Sequence, residues 1–345
     1  MKARIALAFL FVSLAALGLV RRPTSEPIAF GWVPDRDEVR AVSSTLPQPD
    51  FAATPAFREV YAGPDDVFLW DASRKVLGRL IPPRDQGNVG SCVAFGTASA
   101  IEHLLCVQAA NGANEEYRDL AQEIIYGGSR VEIGGGRIRG DGSVGAWAAK
   151  FVVDFGVLPR GSFGRFDLRS YDVPRCREFG RTGVPDELEP EVRKHPVKAV
   201  SNVKSWDEAR AAIRNGYPVI VCSNQGFRSM RDADGFCSPA GTWYHCMALV
   251  GVRGGDRPGG FLLNSWGERF HGGPIGLGDP SPAGFWADVN VLDRMLKQGD
   301  SWAFSGVKGF PSRKLDWYAG SKSSSLQVVQ SPSPTRRFPC VPYPF

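Results

Sequence analysis

Apolar side chains recur at helical spacing in the first half of the chain and in short continuous runs in the second half. The clearest helical pattern predicts a helix from Ser91 to about Ala110, with Ser91 as its cap and Asn111-Gly112 as its end. The apolar face of this helix is formed by Ile101, Leu104, Leu105 and Val107. A helix of this length with one apolar face is expected to pack on a core.

Two shorter helices are predicted further along, at 146–155 and at 206–215, and a glycine follows each of them directly. Ser205 is a suitable cap for the second. The intervening residues, from about 160 to 200, are rich in charges and prolines, which predicts loops with short helices.

Four apolar runs in the second half have the length and composition of buried strands. They are 218–222, 247–252, 261–263 and 285–287. Because the helices come first and the strands later, the order favours segregated helical and sheet parts, an α+β fold, over alternating βαβ units.

Both ends of the chain depart from these patterns. In 1–20, a short basic region precedes an uncharged apolar run, as in a signal peptide, so we expect export with cleavage; an uncleaved membrane anchor is the alternative. Residues 21–75 are interpreted as an extended lead-in or short pro-segment, 76–318 as the main domain, and 319–345 as a disordered Ser/Pro-rich tail. The expected localisation is therefore secreted or extracytoplasmic.

Composition narrows the range of functions. The net charge is +5, but the basic residues are dispersed, so a nucleic-acid partner is not expected. No metal-ligand spacing is present, and no metal or organic cofactor is expected. Seven cysteines are an odd number, which leaves at least one thiol unpaired unless a partner chain supplies a bond.

Cys92 stands at the predicted start of the first helix, after a glycine-rich turn. The positive end of the helix dipole favours the thiolate and lowers the pKa of a cysteine there. Gln86 lies six residues earlier and offers a side-chain amide for an oxyanion, beside the backbone N–H of Cys92. A buried structural cysteine is the alternative reading of this residue.

A nucleophilic thiol requires an imidazole within hydrogen-bond reach. Of the four histidines, His245 alone stands at the entry of an apolar strand, whereas the others fall in a helix, a charged loop and a glycine-rich loop. Asn264, on the following strand, is suited to orient that imidazole, and Trp266 to shield the bond from water. A structural histidine and a turn asparagine are the alternatives.

These segments together resemble the papain-like cysteine peptidases in order and spacing. The matching residues are Gln86-Gly87, Gly90-Ser91-Cys92, Ala94-Phe95, His245 and Asn264-Ser265-Trp266-Gly267. The resemblance implies a two-subdomain α+β fold, with a helical half led by the Cys92 helix and an antiparallel β half that carries His245 and Asn264. It also implies that Gly142 and Ser143 pair with the substrate backbone and that Trp266 contributes to substrate binding.

Some positions depart from the family pattern. Val93 stands where a tryptophan is usual, and the usual disulfide positions lack cysteine. A disulfide between Cys222 and Cys237 is one pairing that the sequence leaves open. The lead-in around Trp32 is similar to the start of bacterial and viral members that lack a long helical propeptide, and we expect it to pack on the mature domain without blocking the cleft.

The expected function is that of a monomeric cysteine endopeptidase, acting on a peptide or protein substrate through an acyl-enzyme. Hydrolysis of cell-wall peptides or other amides on the same site is one alternative. An inactive peptide-binding member is the other. A membrane partner is expected only if the N-terminal segment is uncleaved.

Overall fold

The computed structural model describes residues 30–59, 61 and 63–315. The predicted signal peptide, the first residues of the lead-in and the predicted tail lie outside the described residues, and those assignments stay predictions. The division of the remainder into a lead-in and a main domain also stays a prediction.

Ten α-helices are present in the described part of the chain. They are α1 (Arg36–Thr45), α2 (Pro55–Arg58), α3 (Trp70–Leu77), α4 (Cys92–Ala110), α5 (Gln122–Gly128), α6 (Gly145–Asp154), α7 (Val173–Thr182), α8 (Glu189–Val192), α9 (Trp206–Arg214) and α10 (Val289–Leu296). A 3-10 turn at Phe51–Ala53 and a π turn at Ser129–Ile133 complete the helical elements.

The strands form one large antiparallel sheet and one small hairpin. They are β1 (Val67–Phe68), β2 (Ser162–Phe163), β3 (Phe166–Asp167), β4 (Ala199–Asn202), β5 (Val219–Arg231), β6 (Cys237–Arg253), β7 (Gly259–Leu263), β8 (Gly284–Asp288) and β9 (Ser301–Ser305). The large sheet has the order β4-β9-β5-β6-β7-β8, with β1 paired to β6, and β2 pairs with β3. The α+β class with an antiparallel β half is confirmed.

Helix α4 lies in the centre of the protein, against α3 and α5 on the helical side and against β6 of the sheet. All its residues from Cys92 to Gln108 are buried. It is the one helix among the described residues that is long and apolar enough to span a membrane, and 94% of that stretch is buried inside the protein. Burial of this extent is typical of a core helix.

The boundaries of α4 agree with the prediction, with one correction. Ser91 occupies the capping position, but its side chain makes no capping hydrogen bond; its hydroxyl lies 3.5 Å from that of Tyr171. At the other end, Asn111 terminates the helix and Gly112 adopts a positive φ of 83°. At α9 the predicted cap is present, because the Ser205 hydroxyl accepts from the Glu208 N–H.

The prediction of an extended lead-in is wrong for 36–45, which form α1. The Asp35 carboxylate caps this helix by accepting from the N–H groups of Asp37 and Glu38. Helix α1 packs on α6, where the Trp147 indole donates to Glu38 at 2.9 Å. The capping signal is in the sequence, but only Val42 of α1 is buried, so the apolar pattern is weak.

Strands β5 and β6 are much longer than the apolar runs that predicted them. Their continuous buried segments, Val219–Ser223 and His245–Val252, pair in the core. Beyond them the two strands continue as a partly exposed hairpin with irregular register. Apolar runs detect buried strand segments, so the exposed hairpin was missed.

Candidate active site

Cys92 is the first residue of α4 and is fully buried. Burial raises the pKa of its thiol well above the ordinary value, and the nearby Cys246 thiol adds to the rise. Backbone N–H groups of Cys246, Gly31 and Val93 act in the opposite direction without offsetting burial. The predicted depression of this pKa by the helix N-terminus is therefore wrong for the described state.

His245 lies in β6 and Asn264 directly follows β7, as the sequence predicts. His245 Nε2 is 2.9 Å from Asn264 Oδ1, which also accepts from the Ser265 N–H at 2.7 Å. The backbone donor fixes Oδ1 as an acceptor, so the imidazole carries its proton on Nε2. Nδ1 is thereby the unprotonated nitrogen.

Nδ1 of His245 is buried and has no hydrogen-bond partner. Burial lowers the pKa of His245 to about 4, while the Asn264 bond acts weakly in the opposite direction. The imidazole is thus neutral, correctly oriented and unused at one nitrogen. The Cys92 thiol is therefore not hydrogen-bonded to this nitrogen in the described state.

Trp266 covers the imidazole. Its ring centroid lies 4.2 Å from that of His245, with a tilt of 31°. Phe270 packs on the other side of this indole at 4.7 Å. Trp266 therefore contacts His245 directly, as expected for a residue that keeps water from the imidazole bond.

The sequence places His271 in a glycine-rich loop, and in the structure this loop brings its ring against the Asn264 amide. Its Nε2 is 3.1 Å from Asn264 Nδ2, and its Nδ1 is 3.7 Å from the Cys237 sulfur. Burial, followed by the charge of Arg231, lowers the pKa of His271 to about 3. The neutral ring therefore accepts from the Asn264 amide. No sequence motif indicated this contact, which depends on the fold of a glycine-rich loop.

Gln86 is fully buried between the two halves. Its Nε2 donates to Val89 O at 2.8 Å, and its Oε1 accepts from the Ser265 hydroxyl at 2.6 Å. These bonds hold the amide rigidly in the turn before Cys92. Its predicted role as an oxyanion donor stays a prediction.

Gly142 and Ser143 line the helical side of the cleft, where the resemblance placed a substrate-pairing edge. That edge is occupied by the chain's own N-terminal segment, Phe30–Val33, which we call the cleft segment. Ser143 N–H donates to Gly31 O at 2.8 Å and Ser143 O accepts from Val33 N–H at 3.0 Å. An extended peptide therefore pairs with this edge, although it belongs to the same chain.

The cleft segment also bonds to the sheet side. Tyr244 O, directly before His245, accepts from the N–H groups of Gly31 and Trp32 at 3.0 and 2.9 Å. The Phe30 ring meets the ring of Trp266 edge-on at 5.8 Å. The expectation that this segment leaves the cleft open is wrong, because its backbone bridges both walls above Cys92.

The fit is close enough to require glycine. A Cβ at Gly31 would lie 1.9 Å from Gly90 O, and a Cβ at Gly90 would lie 2.5 Å from Phe30 O. Two backbones thus cross next to Cys92 with no space for side chains. The Trp32 side chain is 5% exposed and its indole donates to the buried Asp300 carboxylate at 2.8 Å.

The described cysteines are all free thiols. Cys222 lies opposite Cys246 across β5 and β6, whereas Cys237 lies opposite Arg231. The suggested pairing of Cys222 with Cys237 is therefore wrong. Cys340 lies outside the described residues.

Comparisons with known proteins agree with this architecture. No protein-family model matches the chain. Cysteine proteinase 1 of Entamoeba histolytica is 29% identical over 120 residues, which cover 32% of this chain and 36% of that protein. The chain thus matches only about a third of the length of this curated relative.

Among solved structures, xylellain, a cysteine protease from Xylella fastidiosa, superposes with a TM-score of 0.50 at 18% identity, covering 81% of this chain and 92% of that one. Procathepsin B S9 from Trypanosoma congolense gives a TM-score of 0.48 at 14% identity, with coverages of 81% and 86%. The xylellain superposition confirms the resemblance drawn from the sequence at the level of architecture, and the chain has the papain-like cysteine protease fold.

Proposed function

We propose that this protein is a cysteine peptidase that hydrolyses peptide bonds with Cys92 as nucleophile and His245 as base, and that the cleft segment holds it in a latent state. The observation that carries the proposal is the buried, unpartnered Nδ1 of His245, whose opposite nitrogen is fixed by Asn264. His245 directly precedes Cys246, whose backbone N–H bonds to the Cys92 thiol. A neutral imidazole with one free acceptor at this place is suited to remove a thiol proton.

The mechanism follows once the cleft segment leaves. His245 Nδ1 takes the proton of the Cys92 thiol, and the thiolate attacks the carbonyl carbon of the substrate. The resulting oxyanion is stabilised by the Cys92 N–H and Gln86. Imidazolium Nδ1–H protonates the leaving amine as the C–N bond breaks, and His245 then activates water to hydrolyse the thioester. Asn264 keeps Nε2–H in place throughout.

Occupation of the cleft by a peptide segment favours an extended peptide as the substrate. The segment uses backbone bonds to Ser143 and Tyr244, which any peptide can make. Cell-wall peptides and proteins share this backbone, so a comparison of casein with muropeptides as substrates distinguishes them.

A pair of glycine variants tests the proposal. In Gly31→Ala the added Cβ cannot be accommodated beside Gly90, whereas a Cβ at Gly140 meets no atom within 4 Å. Gly31→Ala is therefore expected to displace the cleft segment, and Gly140→Ala is its matched control. Both are treated with iodoacetamide, the labelled cysteine is located by mass spectrometry, and cleavage of casein and of muropeptides is measured.

We expect Cys92 to be labelled at least about tenfold faster in Gly31→Ala than in Gly140→Ala, and a His245→Ala substitution to remove the gain. Casein cleavage should appear in parallel. Cleavage of muropeptides alone would favour the amide-hydrolase alternative. Labelling that does not depend on His245, without cleavage of either substrate, would leave an inactive peptide-binding protein.

A further inference from the structure

A cavity of about 270 Å³ lies against the C-terminal half of α4. Its floor is one face of this helix, formed by side chains three and four positions apart: Ile101, Leu104, Leu105 and Gln108. Gln108 lies in the last turn of the helix that Cys92 begins, roughly 24 Å along the axis from it. The cavity is therefore separate from the proposed catalytic site.

Another wall of the cavity is the segment 194–198, which connects α8 to β4. Its backbone is fixed to the rest of the fold, because His195 O accepts from the Val157 N–H at 3.0 Å and the Lys198 N–H donates to Ser305 O at 3.0 Å. The Val157 side chain adds to the apolar lining. The walls are thus held by the fold, and the cavity is preformed.

The polar end of the floor is Gln108, which is 7% exposed. Its side-chain amide makes no hydrogen bond to any of the described residues, although it lines the cavity. The residue beside it has to be glycine, since a Cβ at Gly306 would lie 2.0 Å from Gln108 Nε2. A buried amide without a partner costs free energy, and an acceptor on a ligand removes this cost.

The charges of the lining favour a negative ligand. Three cations, Arg118, Lys194 and Lys198, line the cavity together with one carboxylate, Glu115. Arg118 and Lys194 each pair with a glutamate, whereas Lys198 has no ion pair within the described part of the chain. Burial, and after it the charges of Arg118 and Lys194, lowers the pKa of His195. The end of α4 carries only a partial negative charge, which a full cation exceeds.

We propose that this cavity binds a small free carboxylic acid with an apolar body, of the fatty-acid class. The carboxylate accepts from Gln108 Nε2 and faces Lys198, and the apolar body covers Leu104 and Leu105. A volume of about 270 Å³ is at the lower end of the range for ligand pockets, so the ligand is a short molecule. The proposal does not depend on the peptidase function.

The first test titrates the full chain with octanoate and measures the dissociation constant by ligand-observed NMR. Octanol has the same apolar body without the charge, and octylamine reverses the charge. We expect octanoate to saturate one site, and the other two to bind at least about tenfold more weakly, because the bond from the Gln108 amide to a charged acceptor is lost. N-acetyl-leucine represents a peptide carboxylate and should also bind more weakly, since its peptide group must be desolvated.

The second test changes the cavity. Gln108→Met keeps the length of the side chain and removes the amide, and Lys198→Met removes an exposed charge. The matched control is Lys297→Met, because Lys297 is an exposed lysine directly after α10 and outside this cavity. The dissociation constant of octanoate should rise about tenfold in Gln108→Met and about threefold in Lys198→Met, and it should not change in Lys297→Met.

Thermal unfolding gives a measurement that does not rely on NMR. Octanoate should raise the unfolding midpoint of the parent chain and of Lys297→Met, and raise that of Gln108→Met less. An equal affinity for octanoate in the parent chain and in all three variants would mean that the acid adsorbs elsewhere, which would overturn the proposal. Tighter binding of octylamine or of N-acetyl-leucine than of octanoate would overturn the ligand class.

Discussion

The sheet wall and the helical wall of the cleft differ in how far their side chains are already arranged for the proposed reaction. On the sheet wall, His245, Asn264 and Trp266 already contact one another, and the tautomer of the imidazole is set by a bond at 2.9 Å. On the helical wall, Cys92 is fully buried beneath the cleft segment, and burial keeps its pKa high. The imidazole of His245 is therefore already oriented, whereas the thiol of Cys92 is covered and protonated.

This difference indicates where control is exerted. Rearranging the sheet wall would disrupt a packed cluster of aromatic rings and buried hydrogen bonds. Removing the cleft segment breaks four backbone bonds and the indole bond of Trp32, and it returns Cys92 to solvent. We infer that activity is governed by the position of one short segment, and that the catalytic side chains need little change.

The largest effect is expected from removing either member of the reacting pair. In the Gly31→Ala background, Cys92→Ala and His245→Ala should each lower kcat/KM on casein-derived peptides by at least about a thousandfold. Because the two groups act as a unit, the double variant should be no worse than either single one. Additive losses would mean that the residues act separately, which contradicts the proposed mechanism.

A smaller effect is expected from loosening the segment without adding bulk. Trp32→Phe keeps the ring and removes the N–H that bonds to Asp300, a charge-assisted hydrogen bond. We expect Cys92 to react with iodoacetamide about tenfold faster, since the closed state loses this bond. Trp147→Phe is the control, because its indole bonds to Glu38 outside the cleft at 2.9 Å. Equal rates in the two variants would argue against Trp32 as an anchor.

The sequence predicted where Cys92, His245 and Asn264 lie in the fold but not that the cleft is closed by the chain's own segment. The position of Cys92 at a helix start, of His245 at a strand and of Asn264 after the next strand follow from local patterns. The bond between Trp32 and Asp300 joins residues 268 positions apart, and no periodicity links them. Gly31 is required because its backbone crosses that of Gly90. The sequence shows the glycine but does not show which backbone it crosses.

The pKa values of two buried histidines, one in the helical half and one in the sheet half, can be compared. Burial lowers the pKa of both His103, inside α4, and His245 to about 4. Because these values lie below the ordinary 6.5, the unfolded chain binds more protons, and the free energy of unfolding falls as the pH drops from about 6.5 towards 4. In Gly31→Ala, His245 gains solvent and a thiolate partner, so its pKa should rise by about one unit or more.

Histidine NMR titrations of the full chain and of Gly31→Ala measure this difference. His103 stays buried with its Nδ1 bonded to Ser99 O at 2.7 Å, so its pKa should not move. A joint rise of both values would indicate general loosening of the fold. An unchanged pKa of His245 would show that the cleft segment does not control its environment.

The smallest effect on catalysis is expected from replacing His271, which packs behind Asn264 on the sheet wall. His271 accepts from the Asn264 amide at 3.1 Å, on the side opposite His245, so it is a positioning residue. In the Gly31→Ala background, His271→Leu should lower kcat about fivefold with little change in KM, because the amide loses one of its two orienting contacts. His271→Gln can offer an amide oxygen at the same place and should recover most of the loss.

A double-mutant cycle separates this positioning role from a purely structural one. If His271 acts through Asn264, His271→Leu should have no further effect on kcat once Asn264 is replaced by alanine. Urea unfolding of each variant measures the accompanying loss of stability, which need not follow kcat. An equal fall in kcat in both backgrounds would mean that His271 only stabilises the loop, and that the Ser265 N–H alone orients the asparagine against His245.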